Sequence, residues 1–219
     1  MHRMRFSKLD DAVWISHLDT MRLFQRAFRR ANVSVKHTEG FNPHAFVSIA
    51  MPMSVGTQSQ CELLDFTLLP GEVTLEQLPE LLNRVLPAGV RVLEAYDTPN
   101  KLSGLKYLHA RVTLTYDKEV PAEAAEKIKA LFAGPELVVM KKSKRGTAPT
   151  DILPMIRSLQ VLPDTDTTLV LDAVVSANEP SLNPDLLASA IRSQLPELAP
   201  DAHQTLRLEV LDQNGEIFR

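Results

Sequence analysis

Cysteine is nearly absent from these 219 residues, with Cys61 standing alone. One thiol excludes an internal disulfide and any cysteine-built zinc or iron–sulfur site held within the chain. Long apolar runs are missing too. No stretch approaches the roughly 18 apolar residues of a membrane span, and Met1-His2-Arg3-Met4-Arg5 leads into strand-like sequence instead of a signal-peptide core. A cytoplasmic chain with no membrane partner is the expectation. Nor is there an excess of positive charge: 24 Lys and Arg face 27 Asp and Glu, for a net charge of −3. That is not the composition of a strongly basic nucleic-acid binder. The apolar fraction of 44% and charged fraction of 23% are ordinary and argue against disorder. The length suits one large or two small domains.

The basic residues that are present cluster. Between Arg3 and His44 eight Lys or Arg stand against four acids, and Lys141-Lys142-Ser143-Lys144-Arg145 contains no acid at all. Such a distribution allows a basic face on an acidic body.

The stretch from Trp14 to Phe46 carries most of the chemistry. Ser16 is a good N-cap, and Asp19 three residues on completes a near capping box, so a helix is expected over 16–31 with Asn32 as a plausible C-cap. Leu18, Met21, Phe24, Gln25 and Phe28 fall on one stripe of it. Arg22, Arg26, Arg29 and Arg30 recur at i, i+4, i+7 and i+8 on another. A solvated helix face is one reading of that arginine row. Phosphate binding is the other, since guanidinium forks fit phosphate oxygens bidentately.

Alternation and turn residues organise the rest. Met4 and Phe6 mark a first strand, residues 46–53 and 60–69 two more, Thr74 the start of a helix ending before Pro87, and residues 90–95 a fourth strand. The order β-α-β-β-α-β over about 96 residues is the ferredoxin-like split βαβ pattern. Residues 98–106 have linker composition. The second half reads similarly, with strands at 107–116, 137–142, 167–176 and 205–211, helices at 121–132 and 184–195, and a hairpin or short helix as alternatives within 137–162. The expected class is therefore α+β: two ferredoxin-like units in tandem, residues 1–97 and 107–219, with antiparallel sheets carrying helices on one face.

His17 would sit at the helix N-terminus, where the dipole favours the uncharged ring, as a general base or as a phosphate contact. His37 and His44 flank Gly40-Phe41-Asn42-Pro43, and Asn42-Pro43 constrains the backbone so that His44 is held. No H-x-H or H-x₃-H spacing supports a three-histidine metal site, and no metal is expected. Glu62 and Asp65 lie three apart on a strand, on opposite faces, which argues against a carboxylate pair; solvent exposure is the plain reading of both. Cys61 reads as a small buried hydrophobe. Lys141, Lys142, Lys144 and Arg145 form a second basic loop, and Trp14, Phe41 and Phe46 could stack on bases, although aromatics at strand positions are more often core.

With those residues in place, the chain resembles the radical-SAM-linked proteins, a domain of unknown function found alone or fused behind a radical SAM protein with a cobalamin-binding-type domain. The matching elements are Arg5-Phe6-Ser7-Lys8, Ile15-Ser16-His17-Leu18-Asp19, Arg22, Arg26-Ala27, Arg29-Arg30-Ala31, Gly40-Phe41-Asn42-Pro43-His44 and the run from Val55-Gly56 through Ser59 and Glu62 to Asp65. Lys141-Lys142 to Asp151-Ile152 resembles the second landmark. The resemblance covers nearly the whole chain. It implies a partner of, or substrate-recognition module for, a radical SAM enzyme. Lacking CxxxCxxC, this chain departs from the fused members, so the iron–sulfur cluster and S-adenosylmethionine belong to the partner.

The leading expectation is thus a non-catalytic accessory module. Arg22, Arg26, Arg29, Arg30, His17, Asn42, His44, Lys141, Lys142, Lys144 and Arg145 would hold an anionic ligand, most simply structured RNA, for a radical SAM enzyme acting in trans. One alternative is a metal-independent endoribonuclease with His17 as general acid or base, similar to CRISPR repeat-cleaving nucleases, though Asp212-Gln213-Asn214-Gly215 is only a turn and not their glycine-rich loop. The other alternative is a protein-interaction scaffold.

Overall fold

The computed structural model describes residues 1–143, 146–178 and 180–219. It is a mixed α+β chain that divides into two compact units, Met1–Gly104 with Arg219, and Leu105–Phe218.

In the first unit the elements run β1 (His2–Lys8), α1 (His17–Arg30), β2 (Ser48–Ile49), β3 (Gln58–Phe66), α2 (Leu78–Asn83) and β4 (Val90–Asp97). The strands lie in the order β4-β1-β3-β2, and each neighbouring pair is antiparallel. Alternation in β1 sends Met4 and Phe6 to one face, where they join Leu64, Phe66, Val90 and Val92. Phe24, Ala27 and Phe28 of α1 and Leu78 and Leu82 of α2 close that core, so both helices cover the same face. The packing is aromatic at its centre: the Phe6 and Phe24 rings meet edge-on at 4.7 Å.

The other face of β1 and β3 is also buried. Arg3 donates through Nε to Asp65 Oδ1 (2.6 Å) and through Nη2 to Asp65 Oδ2 (3.1 Å) and the Asn100 carbonyl (2.7 Å). Their placement directly opposite each other in the β1–β3 register makes this bidentate pair possible. Glu62, opposite Phe6 and so on the face that the helices cover, is wholly buried as well. The expectation that Glu62 and Asp65 face solvent is therefore wrong for both, because β3 is covered on its two faces and a period-2 pattern cannot reveal that.

The strand expected over 46–53 shrinks to the two residues of β2, extended by an Ala50 N–H to Leu63 carbonyl bond of 3.0 Å. Pro52 has no N–H for a ladder, and Gly56 turns the chain at φ +91°. The helix expected from Thr74 opens as a 3-10 turn over Leu75–Gln77, with Gln77 Oε1 accepting the Thr74 N–H at 2.9 Å.

The second unit comprises β5 (Tyr107–Thr115), α3 (Ala124–Phe132), β6 (Val138–Ser143), β7 (Gly146–Asp151), β8 (Ile156–Thr165), β9 (Thr168–Ser176), α4 (Asp185–Gln194) and β10 (Ala202–Leu211). Its sheet order is β10-β5-β9-β8, antiparallel throughout. The residue 137–142 segment does not enter this sheet. Instead β6 pairs with β7 as a separate hairpin, and β8 takes the position beside β9. Pro163 fits β8 because that strand ends the sheet among the described residues.

No described helix is long and apolar enough to cross a membrane.

Candidate functional site

The helix α1 forms where its signals say. Ser16 accepts the Asp19 N–H at 3.2 Å and donates its own hydroxyl to Asp19 Oδ2 at 2.7 Å. These contacts hold the Asp19 carboxyl below its usual range, the Ser16 hydrogen bond first and Arg22 second. At the other end Ala31 caps, and Asn32 follows in the left-handed region at φ +52°. The helix thus points Phe24, Ala27 and Phe28 at the sheet and leaves Leu18, Arg22, Arg26, Arg29 and Arg30 exposed.

The chain then turns back along it. Residues Val33, Val35, Ala45 and Val47 are buried while Ser34, Lys36, His44 and Phe46 are exposed. The 34–38 segment bridges on one side to residues 67–69, through Lys36 N–H to the Thr67 carbonyl (2.8 Å) and Leu69 N–H to Ser34 (2.9 Å). On the other side it meets 44–46, through Phe46 N–H to Lys36 (2.8 Å) and Thr38 N–H to His44 (2.8 Å). Glu39-Gly40-Phe41-Asn42-Pro43 is the tip of this ribbon, turned by Gly40 at φ +116°.

Between α1 and the ribbon lies a groove of about 710 Å³ bordered by Arg26, Arg29, Asn32, His37, Pro43 and His44. A second cleft of about 580 Å³ continues along α1 past Leu18, Met21, Arg22 and Asn42. Gln25, Pro43 and His44 line both. No acidic side chain lines either cleft. Arg22 is engaged by Asp19 at 3.0 Å, whereas Arg26 and Arg29 have no ion-pair partner among the described residues.

His37 Nδ1 lies 2.9 Å from the Val35 carbonyl and His44 Nδ1 3.0 Å from the Asn42 carbonyl. His44 Nδ1 also lies 3.2 Å from Thr38 Oγ1, a hydroxyl that can donate or accept. The His44 main-chain N–H meanwhile donates to Thr38 Oγ1 at 3.2 Å, which anchors the ring's backbone.

Of the residues expected to bind ligand, Arg22, Arg26, Arg29, Asn42 and His44 come together here. His17, half-buried at the start of α1, and Arg30, exposed one residue past Arg29, border neither cleft. Lys141 and Lys142 stand on β6 of the second unit, opposite Ala148 and Thr147, while Lys144 and Arg145 lie outside the described residues. Gln25, Asn32, Ser34 and His37 were not singled out as ligand contacts from sequence. The ribbon pairing, which sets 34–38 beside 44–46, brings Ser34 and His37 to the groove that Gln25 and Asn32 line from the α1 side. Trp14, Phe41 and Phe46 are all exposed, so none is the core aromatic that strand statistics favour. Among the described residues no three His, Cys, Asp or Glu gather as a metal site.

In the second unit Asp172 accepts from His109 Nε2 at 2.7 Å and from Arg111 at 3.3 Å. Arg111 and Asp172 are register partners of β5 and β9, so this cluster is a cross-strand charge pairing of a sheet face.

Fold and groove together define an α+β protein whose first unit presents a basic cleft between a helix and a β-ribbon. The chain belongs to a bacterial family described as an uncharacterized protein conserved in bacteria (DUF2344), whose model matches residues 2–184. No curated protein matches it. Among solved structures, a chain of a Cbf5-Nop10-Gar1 complex is similar at 9% identity with a TM-score of 0.50, over 95% of this chain and 48% of that one. A chain of an archaeal box H/ACA sRNP Nop10-Cbf5 complex is similar at 8% identity and a TM-score of 0.46, over 94% and 46%. An unknown protein from Galdieria sulphuraria aligns at 10% identity and a TM-score of 0.22, over 94% and 96%. The chain spans about half the length of the first two. At such identity the likeness to the first is one of fold alone.

Proposed function

We propose that this protein is a non-catalytic recognition module that holds an anionic ligand, structured RNA, in the α1–ribbon groove. The observation that carries this reading is that Arg26 and Arg29 border a 710 Å³ groove with no acid in its lining and no ion-pair partner among the described residues. A guanidinium has five donors and no way to lose its charge at neutral pH, so an open site holding two of them favours phosphate oxygens. His44 and Asn42 add polar groups on the facing wall. Lys141, on β6 of the second unit, is a further phosphate contact in this proposal.

The sequence resemblance supports the further assignment that the ligand is presented to a radical SAM enzyme acting in trans, which would bring the iron–sulfur cluster and S-adenosylmethionine. Both units are read as ferredoxin-like, the second with a hairpin inserted between α3 and β8. The proposed location is cytoplasmic.

The test is retention of total cellular RNA on the purified protein, against a double-stranded DNA control, followed by sequencing of what is kept. Selective retention that falls with salt is expected, and the Arg26→Glu/Arg29→Glu variant should abolish it. Wild-type protein that keeps no RNA overturns the reading and shifts the arginine face to a protein-docking role. Cleavage of the retained RNA that is lost in His17→Ala would move the assignment to an endoribonuclease, a role for which His17 now lacks a place in the groove.

A further inference from the structure

Resting on that reading, the geometry points to an unpaired RNA segment as the ligand class, one base stacking on Phe41 while the adjoining phosphates run along Arg26 and Arg29. Phe41 is fully exposed at the ribbon tip, at 105% of its reference area. It is not a side chain on a loose loop. The two ribbon strands are joined below it by the Thr38–His44 and Lys36–Phe46 hydrogen bonds, His44 Nδ1 ties back to the Asn42 carbonyl, and Pro43 restricts the backbone two residues away. An aromatic ring held in water on an anchored tip loses little freedom when a flat partner arrives.

What surrounds the tip selects among flat partners. Leu18, 63% exposed, and Met21 line the cleft that Asn42 and Pro43, the two residues following Phe41, border, so apolar side chains of α1 stand beside the base of the tip. Beyond it come Arg22, Arg26 and Arg29. Glu39 is the one acid between Val33 and Val47. A ring and an apolar ledge leading into a guanidinium row match a ligand whose flat faces alternate with negative charge, which is a single nucleic-acid strand. A duplex does not fit, because its base faces are occupied by their neighbours and its backbone alone would reach the arginines, leaving Phe41 without a role. A protein partner of opposite charge would meet the arginines but has no equally general need of an isolated exposed ring.

The experiment compares fluorescence anisotropy of a labelled single-stranded RNA of about ten nucleotides, within the site size of such grooves, with the same strand annealed to its complement. Binding to wild-type protein, Phe41→Ala and Phe41→Trp is measured at one salt concentration. Phe41 touches no core, so circular dichroism melts of the three should coincide. The single strand should bind wild-type protein more tightly than the duplex. Phe41→Ala should weaken single-strand binding by about 5- to 140-fold, the range of one base–aromatic stack, with duplex binding unchanged, and Phe41→Trp should restore it. Equal affinity of Phe41→Ala and wild type for the single strand, or a preference for duplex, overturns this inference while leaving the groove as an RNA site. Absence of any RNA binding by the wild type overturns both.

Discussion

Replacing Arg26 and Arg29 together by glutamine keeps much of their bulk and removes their charge, and the consequence for RNA binding can be worked out from the groove. For single strands the slope of log K against log salt is about −0.7 per phosphate neutralised. Arg26 and Arg29 have no ion-pair partner among the described residues, so each is available for one phosphate. Their joint share of the slope is then about −1.4, which corresponds to about sevenfold weaker binding between 50 and 200 mM salt. Arg22 starts from a 3.0 Å contact with Asp19 and must exchange that carboxylate for a phosphate, so its share is smaller. Arg30 lies outside the lining and serves as the matched control. Anisotropy titrations over a salt series should show the slope flattened by about 1.4 in the double variant and by about 0.7 in each of Arg26→Gln and Arg29→Gln. Arg22→Gln should flatten it less, and Arg30→Gln hardly at all. A double variant with the wild-type slope refutes the reasoning, as does an Arg30→Gln variant that flattens as much as Arg26→Gln, since the phosphates would then follow another path.

Asp65→Ala should cost about 3–5 kcal/mol in urea unfolding, because the buried Arg3 guanidinium would lose its carboxylate. The Arg3→Met/Asp65→Leu pair should recover most of that, and a loss under about 1 kcal/mol for Asp65→Ala would contradict the burial of the pair. Gly89→Ala should destabilise by more than about 1 kcal/mol, since the residue sits at φ +81° and an added Cβ would come within 2.8 Å of Ala12 Cβ and closer still to the Leu9 carbonyl; wild-type stability in that variant would count against this packing. Asp185 gives a pH prediction. Burial works to raise its pKa, but His203 at 3.7 Å, Thr205 Oγ1 at 2.6 Å and Asn183 outweigh it, and the carboxyl ends up below its usual value. A carboxyl depressed in the folded state contributes stability above its unfolded pKa of about 3.9 and loses it as pH falls through the lower folded value. Asp185→Asn should therefore lower stability at pH 7 and leave a smaller difference between pH 7 and pH 3 than the wild type shows. An identical pH profile would remove Asp185 from the acid response.

Local signals carried a good part of this protein. The α1 boundaries, the Ser16 cap and the exposed arginine row follow from residues no more than four positions apart, the range over which capping and helical periodicity act. The antiparallel order of strands and helices in the first unit was likewise legible from alternation and turn residues. The second unit was less so. Residues 137–142 have strand composition in either setting, and only pairing partners decide that they form a hairpin with 146–151 while residues 156–165 take the sheet position.

The groove divides along the same line. That Arg22, Arg26 and Arg29 share a helix face was determined by the sequence itself, through the 3.6-residue period. That they face Pro43 and His44, and that His37 joins them, was decided by the ribbon folding back along α1. The fate of the carboxylates was decided in the same way. Asp65 is buried because Arg3, 62 residues earlier, lies opposite it in the β1–β3 register, and Glu62 because it lies opposite Phe6 on the face that the helices cover. Neither strand records in its own residues which partner it will meet, since burial of a charge depends on what the folded chain sets against it.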